Sequence, residues 1–261
     1  MRMSAIGGIL VAILGIALGL YLDGGQIAQM LQPTAALIVF GGTLGAVFIQ
    51  FPFPVVLKAT AQLRYVFMDR QDPARELIAQ LIRYTQIVRR EGLVALDREL
   101  ESIDDPFFRK CLTLAIDGTT PNHLRAMMEI ELDNACESDE LLPRVFESAG
   151  GFAPTVGILG AVIGLIQVMQ KLENINEVGK GIAVAFVATI YGVGSANLFF
   201  LPCAGRIKIL VQRRGLLREM MLEGVLAIID RANPRTLETK LSAYLSTPAP
   251  RKEVAKLVAA S

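Results

Sequence analysis

Four segments of the 261-residue chain contain no Asp, Glu, Lys, Arg or His over a length that can cross a lipid bilayer. The hydrocarbon core of a bilayer is about 30 Å thick and takes roughly 17–25 helical residues. With 52% hydrophobic residues and a mean hydropathy of +0.46, the chain is also too apolar for a soluble domain of this size. We therefore predict an all-α membrane protein with four transmembrane helices, at residues 5–22, 34–57, 150–170 and 181–204.

The first segment allows a second interpretation, because Arg2 precedes an apolar run as a basic residue does in a secretory signal peptide. The run is long, it lacks a clear small-x-small cleavage site before Asp23, and a second hydrophobic segment follows soon after it. These three features favour a membrane helix over a signal peptide.

The 26 Lys and Arg residues are distributed unevenly along the chain. Twelve lie in residues 58–144 and eleven in residues 206–261, whereas the connectors at 23–33 and 171–180 contain two. Because cytoplasmic loops carry an excess of basic residues, we predict that both basic portions and the N-terminus lie in the cytoplasm. The expected domains are residues 1–57 with transmembrane helices 1 and 2, 58–149 as a large helical cytoplasmic loop, 150–204 with transmembrane helices 3 and 4, and 205–261 as a cytoplasmic tail.

The loop between the second and third segments has the pattern of soluble helices. The first of these is predicted to start with Asp72 as N-cap and Pro73 at the first helical position, and to end at Gly92. An amphipathic stretch follows, and further helices are predicted from Pro106 and from Pro121.

The tail is also predicted to be helical. Residues 206–231 are amphipathic and would extend the fourth membrane helix into the cytoplasm. A new helix then starts with Asn233 as N-cap and Pro234 at the first helical position.

Small residues recur at helical spacing within the four segments, with Gly157, Gly160 and Gly164 near one face of the third. Lipid provides little hydrophobic drive between helices, so close backbone approach through small residues supplies much of their packing. Such a face serves either packing within one four-helix bundle or contact with another chain, and the spacing alone favours packing within the bundle.

Few polar side chains lie inside the segments, and the third and fourth each contain one threonine, Thr155 and Thr189. A threonine hydroxyl in a membrane helix commonly bonds to a backbone carbonyl or bridges two helices, whereas a pair on facing helices can line a polar path. Pro154 and Pro202 each free a backbone carbonyl and permit a bend.

The four segments have no Asp, Glu, Lys, Arg or His side chain, and this limits the ion chemistry of the chain. Proteins that move ions usually keep such a side chain in the membrane despite a cost of about 2.5–3.5 kcal/mol on insertion scales. If this chain takes part in ion flow, the coordinating or titrating carboxylate must come from a partner helix.

The sequence gives little support for a metal site, a disulfide or an enzymatic activity. The three cysteines form no CxxC pair, and His123 is the one histidine of the chain and has no neighbour at ligand spacing. No nucleophile and base stand together in the sequence. We therefore expect a protein that is not an enzyme and that has no metal or cofactor.

Four motifs of the chain occur together in one known family. They are PTAALIVFGGTLGAVFIQFP in the second segment, GGFAPTVGILGAVIGLIQVMQKL in the third, GKGIAVAFVATIYGVGSANLFFLPCA in the fourth and EGVLAIIDRANPRTLETKL in the tail. In sequence and order they resemble flagellar stator proteins of the MotA/PomA type, and the resemblance extends from about residue 4 to 245.

The resemblance implies a stator subunit of the bacterial flagellar motor, which couples inward flow of H⁺ or Na⁺ to torque on the rotor. Members of this family surround MotB- or PomB-type single-span partners that carry the ion-binding aspartate, and the expected homo-oligomer is a pentamer. The implied location is the bacterial inner membrane, and the implied cytoplasmic contact is the rotor switch protein FliG.

The segment RREGLVALDREL matches the family's charged, rotor-contacting segment. The resemblance therefore implies that Arg89, Arg90 and Asp97 meet oppositely charged residues of the rotor. The alternative is an ordinary solvated helix face, because surface charges are common and individually weak.

The membrane segments also match family positions with known roles. Pro154 and Pro202 align with two prolines that couple ion flow to movement of the loop. Thr155 and Thr189 match positions that line the ion path in sodium-driven members, whereas proton-driven members often have Ala there.

A related alternative is an ion-driven energiser of outer-membrane transport or envelope maintenance, like the ExbB and TolQ proteins. These usually have three spans and an N-terminus outside the cytoplasm. The four predicted segments and the NPRTLETKL tail favour the motor protein.

Overall fold

The computed structural model describes residues 3–24, 30–67, 73–173 and 175–245, and these residues contain helices and no strand. The all-α class is thereby confirmed. The elements in chain order are α1 (Met3–Leu22), α2 (Pro33–Gln50), α3 (Phe53–Phe67), α4 (Ala74–Glu91), a 3₁₀ helix (Leu93–Ser102), α5 (Pro106–Ile116), α6 (Pro121–Met169), α7 (Ile175–Ser195), a π-helical turn (Ala196–Phe200), α8 (Leu201–Ile229) and α9 (Pro234–Ser242).

The chain divides into two compact units. Unit 1 contains Met1–Arg70 and Glu140–Ile209, and unit 2 contains Gln71–Asp139 and Leu210–Ser261. The units reflect packing within the chain, whereas the predicted domains reflect position relative to a membrane. The predicted domain boundaries therefore stay a prediction.

Three helices of the described residues are long and apolar enough to cross a membrane, judged by length and composition. A shorter apolar helix, Leu10–Leu22, lies in the region of the first predicted segment. The predicted count of four spans therefore stays a prediction. The three long helices are Pro33–Gln50, Pro121–Met169 and Val178–Ile229.

The second predicted segment is wrong at its C-terminal end. α2 ends at Gln50, Phe51 has extended backbone angles, and α3 starts at Phe53. Pro52 explains the break, because proline lacks the N–H that a helix interior needs and disfavours helical angles for the residue before it. Residues 53–57, predicted to lie in the membrane span, belong instead to the separate helix α3.

The third and fourth predicted segments are parts of longer helices. α6 runs from Pro121 to Met169, so the loop helix predicted from Pro121 and the third segment form one helix. The helix of the fourth segment continues through the π-helical turn into α8 as far as Ile229. The predicted extension of this segment into a helical tail is confirmed.

Local signals define the ends of several helices in unit 2. The carboxylate of Asp105 accepts hydrogen bonds from the amides of Phe107 and Phe108, at 2.9 and 3.0 Å, where α5 starts with a proline. The side chain of Asn233 caps α9 in the same way, by accepting from the amide of Arg235 at 3.0 Å.

α4 and the segment after it differ in part from the prediction. Gly92 ends α4, as predicted, and its φ of +87° is one that side-chain-bearing residues rarely adopt. Pro73 precedes α4 instead of occupying its first helical position, and Asp72 lies outside the described residues. The amphipathic stretch after Gly92 is a 3₁₀ helix, held to the core by the fully buried Leu96.

Large side chains from α4, α5, α6, α8 and α9 form the core of unit 2. Tyr84 and Phe108 stack with ring centroids 6.2 Å apart, and both are almost fully buried. Burying each such side chain stabilises a fold by roughly 1.5–3 kcal/mol. This core fixes the helices from which the charged residues of unit 2 project.

Candidate functional site

In unit 1, α6 and α7 approach each other through small residues. A Cβ atom placed on Gly157 would lie 2.9 Å from the carbonyl oxygen of Ala188 and 3.1 Å from the Cα of Gly192. A Cβ atom placed on Gly192 would lie 2.5 Å from the carbonyl oxygen of Ala153. The contact therefore requires glycine at both positions, because a methyl group on either would press against backbone of the other helix.

The same contact continues along both helices. A Cβ atom on Gly160 would lie 2.9 Å from the Cβ of Ala188, and one on Gly164 would lie 3.0 Å from the amide nitrogen of Ala185. All three glycines predicted as packing residues thus face α7. The glycines of α1 differ, because no other described atom lies within 4 Å of a Cβ placed on Gly7, Gly8, Gly15 or Gly19.

The two predicted ion-path threonines lie on these two helices. Thr155, two residues before Gly157, is exposed, and its hydroxyl donates to the carbonyl of Phe152 at 2.8 Å. Thr189 is half-buried, and its hydroxyl donates to the carbonyl of Ala185 at 3.3 Å. Each hydroxyl uses its proton within its own helix, so its oxygen keeps lone pairs that can accept from water or bind a cation.

Tyr191 on α7 makes long-range contacts that the sequence analysis did not predict. Its hydroxyl donates to the carbonyl of Met30 and accepts from the amide of Gln32, which lies 3.3 Å away. Its ring stacks on Phe40 with centroids 6.1 Å apart. The side chain therefore joins α7 to the start of α2, and nothing local in the sequence signals this pairing.

Thr43 on α2 is a second polar residue that the sequence analysis missed. It is 1% exposed, and its hydroxyl oxygen has no hydrogen-bond partner among the described residues. Burial of an unbonded hydroxyl is costly, and it is rare in folded proteins. The GGTLG sequence around it carries the signal, a threonine between glycines within an apolar run.

Pro154 lies inside α6 and removes the donor for the carbonyl of Gly150, four residues before it. A Cβ atom on Gly150 would lie 2.6 Å from a methyl carbon of Leu201 and 3.5 Å from the Cβ of Phe200. The start of α8 therefore packs beside the first turn that Pro154 affects. Since Leu201 directly precedes Pro202, the structure brings the two predicted coupling prolines onto neighbouring stretches of helix.

A π-helical turn lies directly before Pro202. It spans Ala196–Phe200, and the amide of Leu201 donates to the carbonyl of Ala196, five residues earlier. π-helical turns occur mostly as single turns inside α-helices, frequently at functional positions. They are also a recognised cause of sharp bends in a helix. Pro202 predicts a bend, whereas no sequence pattern predicts the widened turn before it.

The predicted rotor-contacting residues lie on the surface of unit 2. Arg89 and Arg90 occupy the last turn of α4 and Asp97 lies in the 3₁₀ helix, and all three are exposed. None of the three forms an ion pair within the described part of the chain, although Arg83 and Glu99 nearby in sequence pair at 2.8 Å. The three side chains are therefore available to charged groups of another molecule.

A separate ion network in unit 2 joins three helices at Glu223 of α8. The carboxylate is 2.7 Å from the guanidinium of Arg125 on α6 and also binds the ammonium of Lys240 on α9. Burial raises the pKa of Glu223, but the hydrogen bonds from Lys240 and Arg125 outweigh burial, and the net pKa lies below the ordinary value. The network holds the tail helix against the unit and was not predicted.

The cysteines and acidic residues form no metal centre in the described ranges, where no group of three or more His, Cys, Asp or Glu side chains is arranged to hold an ion. Cys111, Cys136 and Cys203 are free thiols. Burial raises the pKa of the Cys111 thiol to about 12, so this thiol stays protonated.

Two protein families match the chain. The MotA/TolQ/ExbB proton channel family matches residues 99–220, and the motility protein A N-terminal family matches residues 6–92. Together the two matches cover both predicted loop and membrane portions of the chain.

Relatives match over nearly the full length. Motility protein A of Bacillus subtilis is 35% identical over 246 residues, which are 94% of this chain and 91% of that protein. Chemotaxis protein PomA of Vibrio alginolyticus is 30% identical over 244 residues, which are 94% of each chain. These relatives favour the motor protein over the energiser of outer-membrane processes.

A solved structure agrees with the sequence relatives. The flagellar MotAB stator complex of Bacillus subtilis contains a chain that matches this one with a TM-score of 0.84 and 34% identity, over 97% of this chain and 98% of that chain. The predicted resemblance is thereby confirmed. The chain belongs to the MotA/PomA family of flagellar stator proteins, within the MotA/TolQ/ExbB proton channel family.

Proposed function

We propose that the chain is the ion-conducting stator subunit of a bacterial flagellar motor, which couples inward flow of H⁺ or Na⁺ to torque on the rotor. The observation that carries the proposal is the match of nearly the whole chain to a chain of the MotAB stator complex. The glycine contact between α6 and α7 and the exposed, unpaired charges of unit 2 supply a packed membrane portion and a cytoplasmic contact surface.

The proposed topology has four transmembrane helices in the bacterial inner membrane, with both termini in the cytoplasm. α1 would provide the first span, and α2, the C-terminal part of α6, and α7 with the start of α8 the other three. The distribution of basic residues supports this orientation, because residues 58–144 and 206–261 contain 23 of the 26.

The proposed partner is a MotB-type single-span subunit whose aspartate lies in the membrane. The relative's structure is a MotAB complex, and none of the four predicted spans of this chain contains an Asp, Glu, Lys, Arg or His side chain. A membrane ion path needs such a group, so it has to come from the second chain. We further propose that this chain forms a ring, expected to be a pentamer, around the partner helices.

In this proposal Thr155 and Thr189 line the ion path. Both hydroxyl protons are used within their own helices, which leaves oxygen lone pairs toward the path. A pair of hydroxyl oxygens suits Na⁺, although a proton path through water can use the same oxygens. The two threonines favour Na⁺ slightly, and the choice of ion is part of the test below.

Pro154, Pro202 and the π-helical turn would couple ion passage to movement of the cytoplasmic portion. The two prolines lie on neighbouring stretches of helix, where Gly150 makes room for Leu201. Hydrogen bonds missing at the prolines make these turns easier to deform than the rest of the helices. Arg89, Arg90 and Asp97 would then act on oppositely charged residues of the rotor protein FliG.

The experiment that tests the proposal uses a strain deleted for this chain and for any second stator set. We expect cells that build flagella, seen by electron microscopy, but do not swim. Expression of this chain with a MotB-type partner should restore swimming, and empty vector should not. Cells that swim normally but show defects in uptake or in the envelope would contradict the proposal and favour the ExbB/TolQ-type role.

The ion is identified in the same strain by swimming with and without sodium. If the threonines bind sodium, Thr155→Ala with Thr189→Ala should abolish sodium-dependent swimming. The matched control, Thr155→Ser with Thr189→Ser, keeps both hydroxyl groups and should keep most of the speed. Unchanged speed and ion dependence in the alanine double variant would show that the threonines only pack.

A further inference from the structure

The helix that follows α2 has two different faces. Val56, Ala59 and Val66 of α3 are buried within the chain. The opposite side, which we call the α3 face, is exposed and contains Phe53, Leu57, Lys58, Ala61 and Arg64 together with Pro54 and Thr60. Apolar residues therefore occupy the N-terminal part of this face, and basic residues follow them.

The apolar part of the α3 face continues from the exposed surface of α2. Phe48 of α2 and Phe53 of α3 stack with ring centroids 5.9 Å apart, across the break at Pro52. The two side chains are 46% and 64% exposed. Under the proposed topology α2 crosses the membrane, so Phe53 and Leu57 lie where its hydrocarbon core ends.

Among the described residues, no carboxylate neutralises the basic part of the face. α3 contains no Asp or Glu. The guanidinium of Arg64 donates a hydrogen bond to the hydroxyl of its neighbour Tyr65. Its Cζ atom lies 4.6 Å from the centroid of the Tyr65 ring. Neither Lys58 nor Arg64 forms an ion pair with any described residue, and α1, which packs against α3, carries no charge along its length.

We propose that the α3 face binds anionic phospholipids at the cytoplasmic surface of the membrane. Phe53 and Leu57 would lie among the upper acyl chains, and Lys58 and Arg64 would bind headgroup phosphates. Helices with an apolar part and a basic part lie at membrane interfaces for this reason, and each basic residue near an anionic surface adds to the attraction. The inference rests on the proposed topology and adds a lipid class to it.

The experiment uses a single tryptophan, which this chain otherwise lacks. The full chain with Phe53→Trp is purified with its partner subunit and reconstituted in vesicles of equal phosphatidylglycerol and phosphatidylcholine. Bromine, which quenches tryptophan fluorescence on contact, is placed on the acyl chains of one lipid or of the other. The same preparation without the substitution is the blank, and its emission is subtracted.

Bromine on phosphatidylglycerol should quench the introduced tryptophan about two- to fivefold more strongly than bromine on phosphatidylcholine. Adding Lys58→Gln with Arg64→Gln should make the two quenching values equal. The matched control, Arg98→Gln with Lys110→Gln, removes the same charge from exposed positions of unit 2 and should keep the preference.

A second reporter separates failure of this inference from failure of the topology. Leu44→Trp, at a half-exposed position within α2, should be quenched by bromine on either lipid. If both lipids quench Phe53→Trp equally, the α3 face does not select anionic lipid, and the inference is overturned. Quenching of Leu44→Trp without quenching of Phe53→Trp also overturns it but keeps the span. Absence of quenching at both positions overturns the span as well.

Discussion

Unit 1 and unit 2 bury different kinds of side chain. Of the twelve largest side chains that are fully buried among the described residues, eleven lie in unit 2, and Ile207 alone lies in unit 1. Unit 1 packs through glycine and alanine instead, and it exposes many large apolar side chains. Water forces large apolar groups into a core, whereas lipid does not, so close approach of small residues holds membrane helices together.

The comparison predicts that truncating a large buried side chain is most damaging in unit 2. Phe108→Ala should lower the free energy of unfolding by about 3–5 kcal/mol, because it leaves a cavity beside Tyr84. The measurement is amide hydrogen exchange across unit 2 in the purified full-length protein.

The matched change in unit 1 is Leu14→Ala, at a position that is 61% exposed. It should leave hydrogen exchange almost unchanged, because the leucine faces lipid under the proposed topology. A similar acceleration of hydrogen exchange in both variants would contradict the difference in packing between the two units.

The second prediction adds volume to unit 1. Gly192→Ala should destabilise the contact between α6 and α7 by about 1–3 kcal/mol, because the new methyl group would lie 2.5 Å from the carbonyl oxygen of Ala153. The readouts are the thermal midpoint of the purified protein and swimming of the complemented strain.

Gly194→Ala is the control for this change, on the same helix. No described atom outside the local backbone lies within 4 Å of its new methyl group. This control should retain both stability and swimming. Equal loss in the two variants would mean that helix flexibility, and not the glycine contact, explains the effect.

The third prediction concerns the ion network of unit 2. The predicted spans of unit 1 have no such network. Glu223→Gln should cost about 1–2 kcal/mol at neutral pH, because Arg125 and Lys240 stay charged while the carboxylate charge is lost, and one of the two contacts becomes donor against donor. The thermal midpoint at pH 7 is the measurement.

The pH dependence has a defined sign. The pKa of Glu223 in the folded protein is lowered from an ordinary value of 4.5. Its contribution is therefore complete above the pKa of the unfolded state and is lost as pH falls through the folded pKa. Below pH 4.5 the unsubstituted protein should lose more stability than Glu223→Gln. If both proteins lose the same stability as the pH falls, the ion network is not the cause of the pH dependence.

The smallest effect on stability is expected from Arg89→Glu with Arg90→Glu. Both side chains are exposed, so the free energy of unfolding should change by no more than about 1 kcal/mol, chiefly because two favourable charges at the C-terminal end of α4 are reversed. Swimming should nevertheless fall strongly if these residues meet the rotor. The control, Arg213→Glu with Arg235→Glu, reverses two other exposed charges of unit 2 and should swim normally. Normal swimming of the first variant would exclude Arg89 and Arg90 from the rotor contact.

The sequence predicts those parts of the fold that depend on neighbouring residues. The cap at Asn233 and the end of α4 at Gly92 follow from residue types within a few positions, whereas the cap at Asp105 was not predicted. Hydropathy misplaces the end of the second segment, because it is averaged over a window that includes Pro52 and does not detect that the helix is interrupted there.

The site is predictable in part for the same reason. The spacing of Gly157, Gly160 and Gly164 identifies a packing face, but it does not say which helix the face meets. The bonds of Tyr191 to residues 30–32 and the ion network at Glu223 join positions far apart in the chain. Such pairings depend on the folded arrangement of whole helices, and no local pattern encodes them.

The glycine contact also restricts how α6 and α7 can move. Gly157 faces Gly192, and Gly164 faces Ala185, so each helix has backbone where the other has no side chain. A slip of one helix along the other by part of a turn would bring side-chain carbons onto backbone oxygens. Within this contact the two helices therefore resist sliding past each other, and a shift of one along its axis would carry the other with it.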